Sequence, residues 1–374
     1  MTKSEHTQSV IRSASLVLAG AGHAHLVAMR HWMDSGWSPP PGSLLISSEA
    51  NAWYSGMMPG LIAGRFTLDE CAIALAPLCQ QLGIGLVQAD VVALDSHKQL
   101  LELSTGAVIS YQHLSVNTGS RPLMPEHSDN SVLLVPAKPF PDFIAQWKSW
   151  QQSPPVSLMV LGGGAAAFEL AMAINKRFRQ TAVSVVCSGQ LLGSLAPGVQ
   201  RQARHCLMDA DIKLIENCHI DTIAADSVWS EDNKVMSPDA VVLATGASAH
   251  PWYRSSGLSC DAAGFIHVDE RLCAVGAASV FVSGDAASAN GSRRSGVFSV
   301  RHGPVIAHNI KAVFENAPLQ SYQPQGNALA LLATADGGAL MSYGSLGLGG
   351  RFTAPLLGRW KDYLDLSFMK RHRL

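Results

Sequence analysis

The sequence has little charge and no excess of either sign. It contains 27 Lys and Arg against 28 Asp and Glu among 374 residues, so that charged residues make up 15% and the formal net charge is −1. A protein that binds nucleic acid over much of its surface needs an excess of Lys and Arg to contact phosphates. The composition therefore predicts no nucleic-acid partner. Only a local basic patch would be compatible with it.

Cysteine pairs are also absent. The seven cysteines, at positions 71, 79, 187, 206, 218, 260 and 273, form no CxxC motif and no zinc-like spacing. An odd number of scattered cysteines is typical of reduced, intracellular thiols. We therefore expect a cytoplasmic protein without a metal site.

Uninterrupted apolar runs are missing as well. The first 15 residues are polar and predict a loose tail rather than a signal peptide. The longest apolar stretch, residues 156–174, contains three consecutive glycines and Glu169, which argues against a membrane span. With 47% apolar residues, 33 Gly and 19 Pro, the sequence predicts a globular α/β protein of two or three domains.

The first glycine loop, GAGHAHL at residues 20–26, has two interpretations. An apolar strand, a glycine turn and a helix form the first half of a βαβ unit, in which Gly20 and Gly22 let a pyrophosphate approach the helix N-terminus. Alternatively, His23 and His25 could bind a metal. Because residues two apart on a helix point to different faces, the geometry favours the phosphate cradle. His25 stands where the fingerprint usually has Gly or Ala.

A second, more complete copy of this loop follows. Residues 158–161 form an apolar strand, and Gly162, Gly164 and Ala167 then fit the GxGxxA pattern before a long helix. Two such loops in one chain predict two dinucleotide sites.

Three further strands end in small motifs: Thr118-Gly119, Thr245-Gly246 and Gly284-Asp285. In this order the motifs resemble those of the two-dinucleotide flavoproteins, the pyridine nucleotide–disulfide oxidoreductases. The segments GAGHAHL, WYSGMMPGLIAG, VPAKPF, GVFSVRHGP and GRWKDYLDLSFMKR look most like the NADH-dehydrogenase-like branch, which resembles the FAD-dependent domain also found fused to selenide, water dikinase. The resemblance covers about residues 16–369.

The resemblance implies an α/β fold with two Rossmann-like domains. An FAD-binding domain, residues 1–123 and 248–325, would be interrupted by an NAD(P)H-binding domain, residues 124–247. The remaining residues, 326–374, predict a hairpin around 336–338 and then a helix. Apolar positions 356, 357, 360, 364 and 368 of that helix suit an internal core stripe, and the alternative is contact with a membrane surface or a partner.

The resemblance also implies which residues bind the cofactors. For the second site they are Gly162, Gly164, Ala167, Thr245 and Gly246, which would bind NAD(P)H. For FAD they are Gly20, Gly22, His23, Ala24, His25, Ser47, Glu49, Tyr54, Ser55, Pro59, Thr118, Gly119, Arg121, Gly284, Asp285, Gly296, Val297 and Phe298. Asp285 would accept hydrogen bonds from the ribityl chain, although a helix N-cap is an alternative role for it.

The sequence departs from the family pattern in three places. The acid that would bind the adenosine ribose is replaced by Ser47 and Ser48, and Glu49 is the nearest carboxylate. Cys187 and Ser188 end the corresponding strand of the second half, which leaves the choice between NADH and NADPH open. The segment 53–64 lacks the CxxxxC of the disulfide-using members, so no dithiol relay is expected beside the flavin.

Together these features predict an FAD-dependent oxidoreductase that passes hydride from NAD(P)H to the flavin and on to a quinone or another small acceptor. Glu169 could orient the nicotinamide, or it could act structurally in a capping box. Lys138 occupies a family motif position and is the second candidate catalytic residue, and a solvated linker lysine is the alternative. Two alternative functions stay open. One is an FAD-binding redox sensor or interaction protein, and the other is an oxidoreductase that acts on a selenium or sulfur compound. The oligomeric state stays open.

Overall fold

The computed structural model describes residues 11–128, 132–231 and 233–374. Two parallel sheets flanked by helices form most of this part of the chain, and a small antiparallel sheet and a long helix follow them. The helices are α1 (His23–Ser35), α2 (Met58–Ile62), α3 (Leu75–Leu82), α4 (Phe140–Gln152), α5 (Ala165–Arg177), α6 (Pro197–Asp209), α7 (Pro251–Ser255), α8 (Gly296–Glu315) and α9 (Ala354–His372). Short 3-10 turns lie at Ser55–Met57, Asp69–Cys71 and Gly284–Ala286.

The first sheet is built from both ends of the sequence. Its order is Cys273–Ala274, Ala277–Val282, Val108–Val116, Ile11–Ala19, Leu44–Ser47 and Gly85–Gln88, and the hairpin Val91–Asp95 and Leu100–Leu103 joins it beside Val108–Val116. The five strands from Ala277–Val282 to Gly85–Gln88 run parallel. The central strand carries Leu16, Val17 and Leu18, all fully buried, as expected for a parallel sheet that helices and further chain cover on both faces.

The second sheet lies entirely within the middle of the sequence. Its five parallel strands are ordered Leu133–Pro136, Ala240–Leu243, Ser157–Leu161, Ala182–Val186 and Lys213–Ile215. A smaller sheet of Glu126–His127, Thr222–Ile223, Val228–Ser230 and Asn233–Met236, which the sequence did not suggest, accompanies it. Two-stranded pairs join Asn51–Trp53 to Ala72–Ala74 and Ile266–His267 to Ala287–Ser288.

The chain passes between the two halves through a pair of short strands. Arg121–Pro122 leaves the first half and pairs antiparallel with Ala247–Ser248, which returns to it. Thr245 Oγ donates to the Leu123 carbonyl at 2.6 Å and strengthens this crossing. We therefore propose domain boundaries at 123/124 and 247/248.

The C-terminal region forms a three-stranded antiparallel sheet, Ala330–Ala333, Ala339–Tyr343 and Leu346–Leu348, followed by α9. The predicted hairpin around residues 336–338 is confirmed, and the third strand was not predicted. This sheet packs on α5 and α6 of the second half, whereas α9 also packs on α1 of the first half. The C-terminal region therefore bridges the two halves.

The apolar stripe of α9 is divided between two faces. Leu357 is buried and Phe368 is partly buried, as a core stripe predicts. Leu356, Trp360 and Leu364 are instead 64%, 40% and 40% exposed, so the core interpretation is wrong for these three positions. No helix in the described ranges is long and apolar enough to cross a membrane.

Candidate functional site

The first glycine loop turns tightly against Asn117, a residue that the sequence analysis missed. A Cβ atom at Gly20 would lie 2.6 Å from the Asn117 carbonyl oxygen, and one at Gly22 would lie 2.3 Å from Asn117 Oδ1. Gly20 also has φ +91°, which favours glycine. Both glycines are thus required by their contact with the protein itself, in addition to any approach of a ligand. The available signal was a polar residue directly before Thr118-Gly119.

His25 holds this loop from behind. Its ring is fully buried, Nδ1 lies 2.6 Å from the Gly20 carbonyl oxygen and Nε2 lies 2.8 Å from Ser115 Oγ. Because the carbonyl can only accept, Nδ1 carries the proton and Nε2 accepts from the hydroxyl. Burial lowers the pKa of His25 to about 4, so the ring is neutral. The His25 side chain therefore positions the loop, and a part for this residue in binding FAD stays a prediction.

His23 points in a different direction. Its ring lies 5.4 Å from the ring of Tyr54 and 5.8 Å from that of Phe368, and burial lowers its pKa to about 4. The two histidines therefore do not converge on one metal ion. Ala24, between them, is buried in the first turn of α1. Gly22, the N-cap of that turn, has no side chain to cap it, and Asn117 Oδ1 accepts from the His25 amide at 3.3 Å, which leaves the amides of His23 and Ala24 available for an anion.

The expected adenosine end of the site lies where the strand Leu44–Ser47 ends. Ser47 is buried and its hydroxyl accepts a hydrogen bond from the Glu49 amide at 3.3 Å. Glu49 is partly exposed in the turn that follows. Glu49 thus lies at the carboxyl end of the parallel strands, the same end of the sheet that carries the first glycine loop.

Thr118 and Gly119 are both tied to Tyr253 of α7. The Tyr253 hydroxyl lies 2.7 Å from Thr118 Oγ and donates to the Gly119 carbonyl at 2.8 Å. Since one hydroxyl has one proton, Thr118 is the donor in the first contact. Arg121, two residues further on, is exposed in the crossing strand and is not brought to the loop by any contact of the described residues.

Asp285 connects the two halves. It lies in the turn Gly284–Ala286, and its Oδ2 accepts hydrogen bonds from Lys138 Nζ at 3.0 Å and from Ser120 Oγ at 3.2 Å. The turn has no side-chain cap, so the helix N-cap alternative for Asp285 is wrong. Lys138 is 55% exposed yet forms this ion pair, so it is not a free linker lysine. Oδ1 of Asp285 accepts no hydrogen bond from the described residues and is available to a ligand hydroxyl.

A buried histidine, His302, supports the turn Gly284–Ala286, and the sequence did not predict this role. The Gly284 amide donates to His302 Nδ1 at 3.0 Å. Burial lowers the pKa of His302 to about 4, which keeps Nδ1 free to accept. The residue lies in α8, whose first three residues are Gly296, Val297 and Phe298. Because Ser295 makes no side-chain cap, the N-terminus of α8 also presents free N–H groups.

The second glycine loop repeats the geometry of the first. A Cβ at Gly162 would lie 2.2 Å from the Ala244 carbonyl oxygen, whereas one at Gly164 would meet open space. Gly164 is the N-cap of α5 and Ala167 is buried against the core, so this helix begins without a capping side chain. Thr245 and Gly246 follow the adjacent strand and bond to Leu123 in the crossing.

Glu169 does not form a capping box. Its Oε1 accepts a hydrogen bond from the Ala333 amide at 2.7 Å, which attaches α5 to the C-terminal sheet. Burial raises its pKa to about 7, and the charge of Lys361 opposes this rise. At neutral pH this carboxyl can therefore both hold and release a proton.

Lys361 and Asp365 of α9 complete a polar cluster around Glu169. Their side chains are only 11% and 9% exposed and form an ion pair of 2.8 Å. Lys361 also donates to the Gly56 carbonyl at 2.9 Å, and the Tyr54 hydroxyl donates to Asp365 at 3.1 Å. We refer to Tyr54, Glu169, Lys361 and Asp365 as the C-terminal cluster.

The groups of the C-terminal cluster shift one another's pKa values. Burial lowers the pKa of Lys361, but Glu169 and Asp365 outweigh it and the net shift is upward. Burial raises the pKa of Asp365 despite its lysine partner. Burial and the negative charge of Asp365 raise the pKa of Tyr54, so its phenol stays protonated. The cluster therefore contains one fixed cation, one phenol and two carboxyls, of which Glu169 titrates near neutrality.

The remaining expected FAD residues lie in one segment of the first half. Ser55 is exposed at the start of the 3-10 turn, and Pro59 is buried in the first turn of α2. Tyr54 stacks on Phe368 of α9, with ring centroids 4.6 Å apart. The turn that the sequence places beside the flavin is thus covered by the C-terminal helix.

The residues present fit two dinucleotides. The N-cap residues of α1, α5 and α8 make no side-chain cap, and the first amides of each helix suit an anionic group. Gly164 and Gly246 border open space, as close contact between a ligand and the protein backbone requires. All seven cysteines are free, and burial raises the pKa of Cys71 to about 12 and that of Cys79 to about 11. Both of these thiols are free and buried.

Comparisons with known proteins agree with this geometry. The family model "Pyridine nucleotide-disulphide oxidoreductase" matches residues 14–312. Ferroptosis suppressor protein 1 of Taeniopygia guttata is 26% identical over 258 residues, which are 65% of this chain and 67% of the relative. An NADH dehydrogenase-like protein of Mycobacterium tuberculosis is 21% identical over 254 residues, 63% of this chain and 64% of that protein. The chain spans about two thirds of the length of these relatives.

Among solved structures, the sulfide:quinone oxidoreductase of Aquifex aeolicus has the same fold. Its TM-score is 0.75 at 16% identity, and the match covers 96% of this chain and 92% of that one. A family match over residues 14–312, two dinucleotide cradles and this shared fold lead to one conclusion. The chain belongs to the pyridine nucleotide-disulphide oxidoreductase family, and it is an NAD(P)H-dependent flavin oxidoreductase with FAD as its cofactor.

Proposed function

We propose that this oxidoreductase passes electrons from NAD(P)H through FAD directly to a quinone-like small molecule. The observation that carries the proposal is the C-terminal cluster, which lies where α5 of the second half, the turn after Tyr54 of the first half and α9 meet. When bound, FAD supplies the two-electron chemistry. The protein's part is to hold the two dinucleotides in place and to supply protons.

Each of the two glycine loops supports the binding of one nucleotide. The first loop would hold FAD, Asp285 in the turn Gly284–Ala286 would accept from its ribityl hydroxyls, and Gly296 to Phe298 at the start of α8 would contact its ring system. NAD(P)H is held by Gly162, Gly164 and Ala167, with Thr245 and Gly246 beside it. Because helix N-termini favour negative charge, α1 and α5 suit the two pyrophosphates.

The proton balance gives the C-terminal cluster its role. Reduction of a quinone to a quinol takes two electrons and two protons, and a hydride from NAD(P)H contributes both electrons and one proton. The second proton must come from the protein or from water. Glu169, with a pKa of about 7, can give up that proton at neutral pH and regain it from solvent. Lys361 acts through Glu169 as a positioning residue, since its charge limits how far burial raises the pKa of Glu169.

Direct transfer to the acceptor is supported by the state of the thiols. All the cysteines of the sequence are free, and Cys71 and Cys79, which are nearest in sequence to the Tyr54 turn, are buried and protonated. A thiol relay needs an accessible thiolate. The name of the Aquifex aeolicus protein that shares the fold includes a quinone, which fits the same class of acceptor.

We also propose a peripheral membrane contact through the outer face of α9. Leu356, Trp360, Tyr363 and Leu364 are exposed along this face, and Phe352 just before the helix is 88% exposed. Arg351 and Arg359 lie near these residues in the sequence, Lys370, Arg371 and Arg373 follow them at the C-terminal end of the helix, and all five are exposed. Exposed apolar side chains bordered by arginine and lysine suit an anionic bilayer surface, which supports peripheral contact with the inner face of the membrane.

The proposed function is tested by anaerobic stopped-flow mixing of the FAD-loaded protein with NADH and, separately, with NADPH. We expect at least one of them to bleach the flavin absorbance within the turnover time. Steady-state consumption of that nucleotide should then rise with the concentration of a water-soluble quinone. If neither nucleotide bleaches the flavin, or if quinones leave consumption unchanged, the proposal is wrong and a flavin-binding sensor becomes the better account.

A further inference from the structure

A groove on the surface of the first half is not used by the proposed reaction. It lies between the outer faces of α1, α8 and α9 and under the loop 320–325, and its volume is about 800 Å³. Ligand sites for small organic molecules range from about 300 to 1,000 Å³. The groove is thus large enough for an organic ligand rather than only a bare ion.

The charges that line the groove are of one sign. Arg30 of α1, Arg301 of α8 and Arg371 of α9 contribute to its walls, and none of the lining residues is a carboxylate. Arg30 and Arg371 share Asp34, at 2.7 and 3.6 Å, so one carboxylate serves two guanidinium groups. The side chain of Arg301 forms no ion pair or hydrogen bond with any of the described residues. The groove therefore holds uncompensated positive charge.

One guanidinium group is incompletely hydrogen-bonded. Arg30 Nε is buried and has no partner among the described residues, although the Nη2 atom of the same residue pairs with Asp34. A buried donor without an acceptor costs free energy unless a ligand or water satisfies it. An arginine fork with an open donor suits the oxygens of a phosphate or carboxylate group.

Apolar and polar walls complete the site. Val27, Pro304 and Phe368 give it apolar surface, and Gln320, Ser321 and Gln323 supply neutral polar groups on the loop side. On α9, Ser367 and Arg371 continue the helical row of the exposed Trp360 and Leu364. One end of the groove therefore adjoins the exposed apolar face of that helix.

We propose that this groove binds the phosphate group of a phosphate ester, with Arg30, Arg301 and Arg371 holding the phosphate oxygens and Val27, Pro304 and Phe368 contacting the organic part. The phosphate belongs either to a soluble ester or to a phospholipid headgroup, and the two sources share this chemistry. The site does not depend on the acceptor of the flavin reaction.

The test uses the FAD-loaded protein in saturating NAD⁺, so that both dinucleotide cradles are filled. Glycerol 3-phosphate is titrated calorimetrically into the wild type, Arg301→Gln and Arg201→Gln. The control removes the same charge from the exposed outer side of α6. Because a charge-assisted hydrogen bond is lost, Arg301→Gln should bind at least about tenfold more weakly, whereas the control should match the wild type.

A second arm identifies the source of the phosphate. The same three proteins are sedimented with phosphatidylcholine vesicles that contain or lack phosphatidylglycerol. If the phosphate is that of a lipid, Arg301→Gln weakens sedimentation with the anionic vesicles more than Arg201→Gln does, and neither changes sedimentation with the neutral ones. If the ester is soluble, only the calorimetric difference is found. If neither measurement distinguishes Arg301→Gln from Arg201→Gln, the proposal is wrong.

Discussion

Lys361 and Asp365 form an ion pair of 2.8 Å, one turn apart on the C-terminal helix and almost completely buried. Through this pair, α9 reaches the Gly56 carbonyl and the Tyr54 hydroxyl of the first half and the charge of Glu169 in the second. Removing one partner of a buried pair is costlier than the pair itself is stabilising. The helix is thus tied to the site electrostatically as well as by packing.

Replacement of Lys361 by Met should lower stability by about 3 kcal/mol, because Glu169 and Asp365 then lack their cation. The pKa of Glu169 should rise, since the lysine charge lowers it. We expect quinone reduction to slow by about tenfold with the FAD content retained, measured by steady-state kinetics and flavin absorbance. Lys370→Met, on an exposed part of the same helix, should behave as the wild type. Equal activity of both variants would remove Lys361 from the account.

The pH dependence of quinone reduction should follow Glu169. Its folded pKa is raised to about 7 from an ordinary value of 4.5, so the native state retains a proton that the unfolded chain has lost between these pH values. Stability should therefore fall as the pH rises through this window. Proton donation should likewise decline above about pH 7. In Glu169→Gln both slopes should flatten, as monitored by thermal unfolding and by the pH profile of kcat; an unaltered profile would assign the proton to another group.

Asp285→Ala should lose most of its bound FAD while remaining folded. The ribityl hydroxyls would lose a charge-assisted hydrogen bond of about 1.5 to 3 kcal/mol, equivalent to a weakening of roughly 10- to 100-fold. Flavin released per mole of protein measures the effect, and circular dichroism monitors folding. Asp209→Ala, at the exposed end of α6, is the control. Full FAD occupancy in Asp285→Ala would limit Asp285 to its ion pair with Lys138.

The outer face of α9 should determine binding to vesicles. In the double variant Leu356→Ser and Trp360→Ser, less apolar surface enters the bilayer, so co-sedimentation with phosphatidylglycerol vesicles should fall several-fold. Met208→Ser, which changes a 66% exposed residue of α6, should sediment as the wild type does. If the double variant still binds and the wild type shows no preference for anionic vesicles, α9 does not contact membranes.

The sequence was most informative where the structure is local. Each glycine loop lies within one strand, turn and helix, so the spacing alone predicted both. The C-terminal cluster could not be found in this way, because Tyr54 and Asp365 lie 311 residues apart and meet only after three parts of the chain have packed. The role of the His25 side chain was not predicted for a related reason: its ring bonds to the Gly20 carbonyl and to Ser115, which lies 90 residues away in the sequence. For the C-terminal cluster, the one signal in the sequence was the presence of charged residues inside the apolar stripe of α9.

Direct transfer from the flavin to the acceptor is tested by double-mixing stopped flow. The FAD-loaded protein is treated with N-ethylmaleimide, reduced anaerobically with one equivalent of the effective nicotinamide nucleotide, and then mixed with a water-soluble quinone. We predict one reoxidation phase whose rate rises with quinone concentration, one quinol formed per FAD and the same rate without thiol treatment. A reoxidation that is independent of quinone, or that disappears when thiols are blocked while FAD remains bound, would contradict the account.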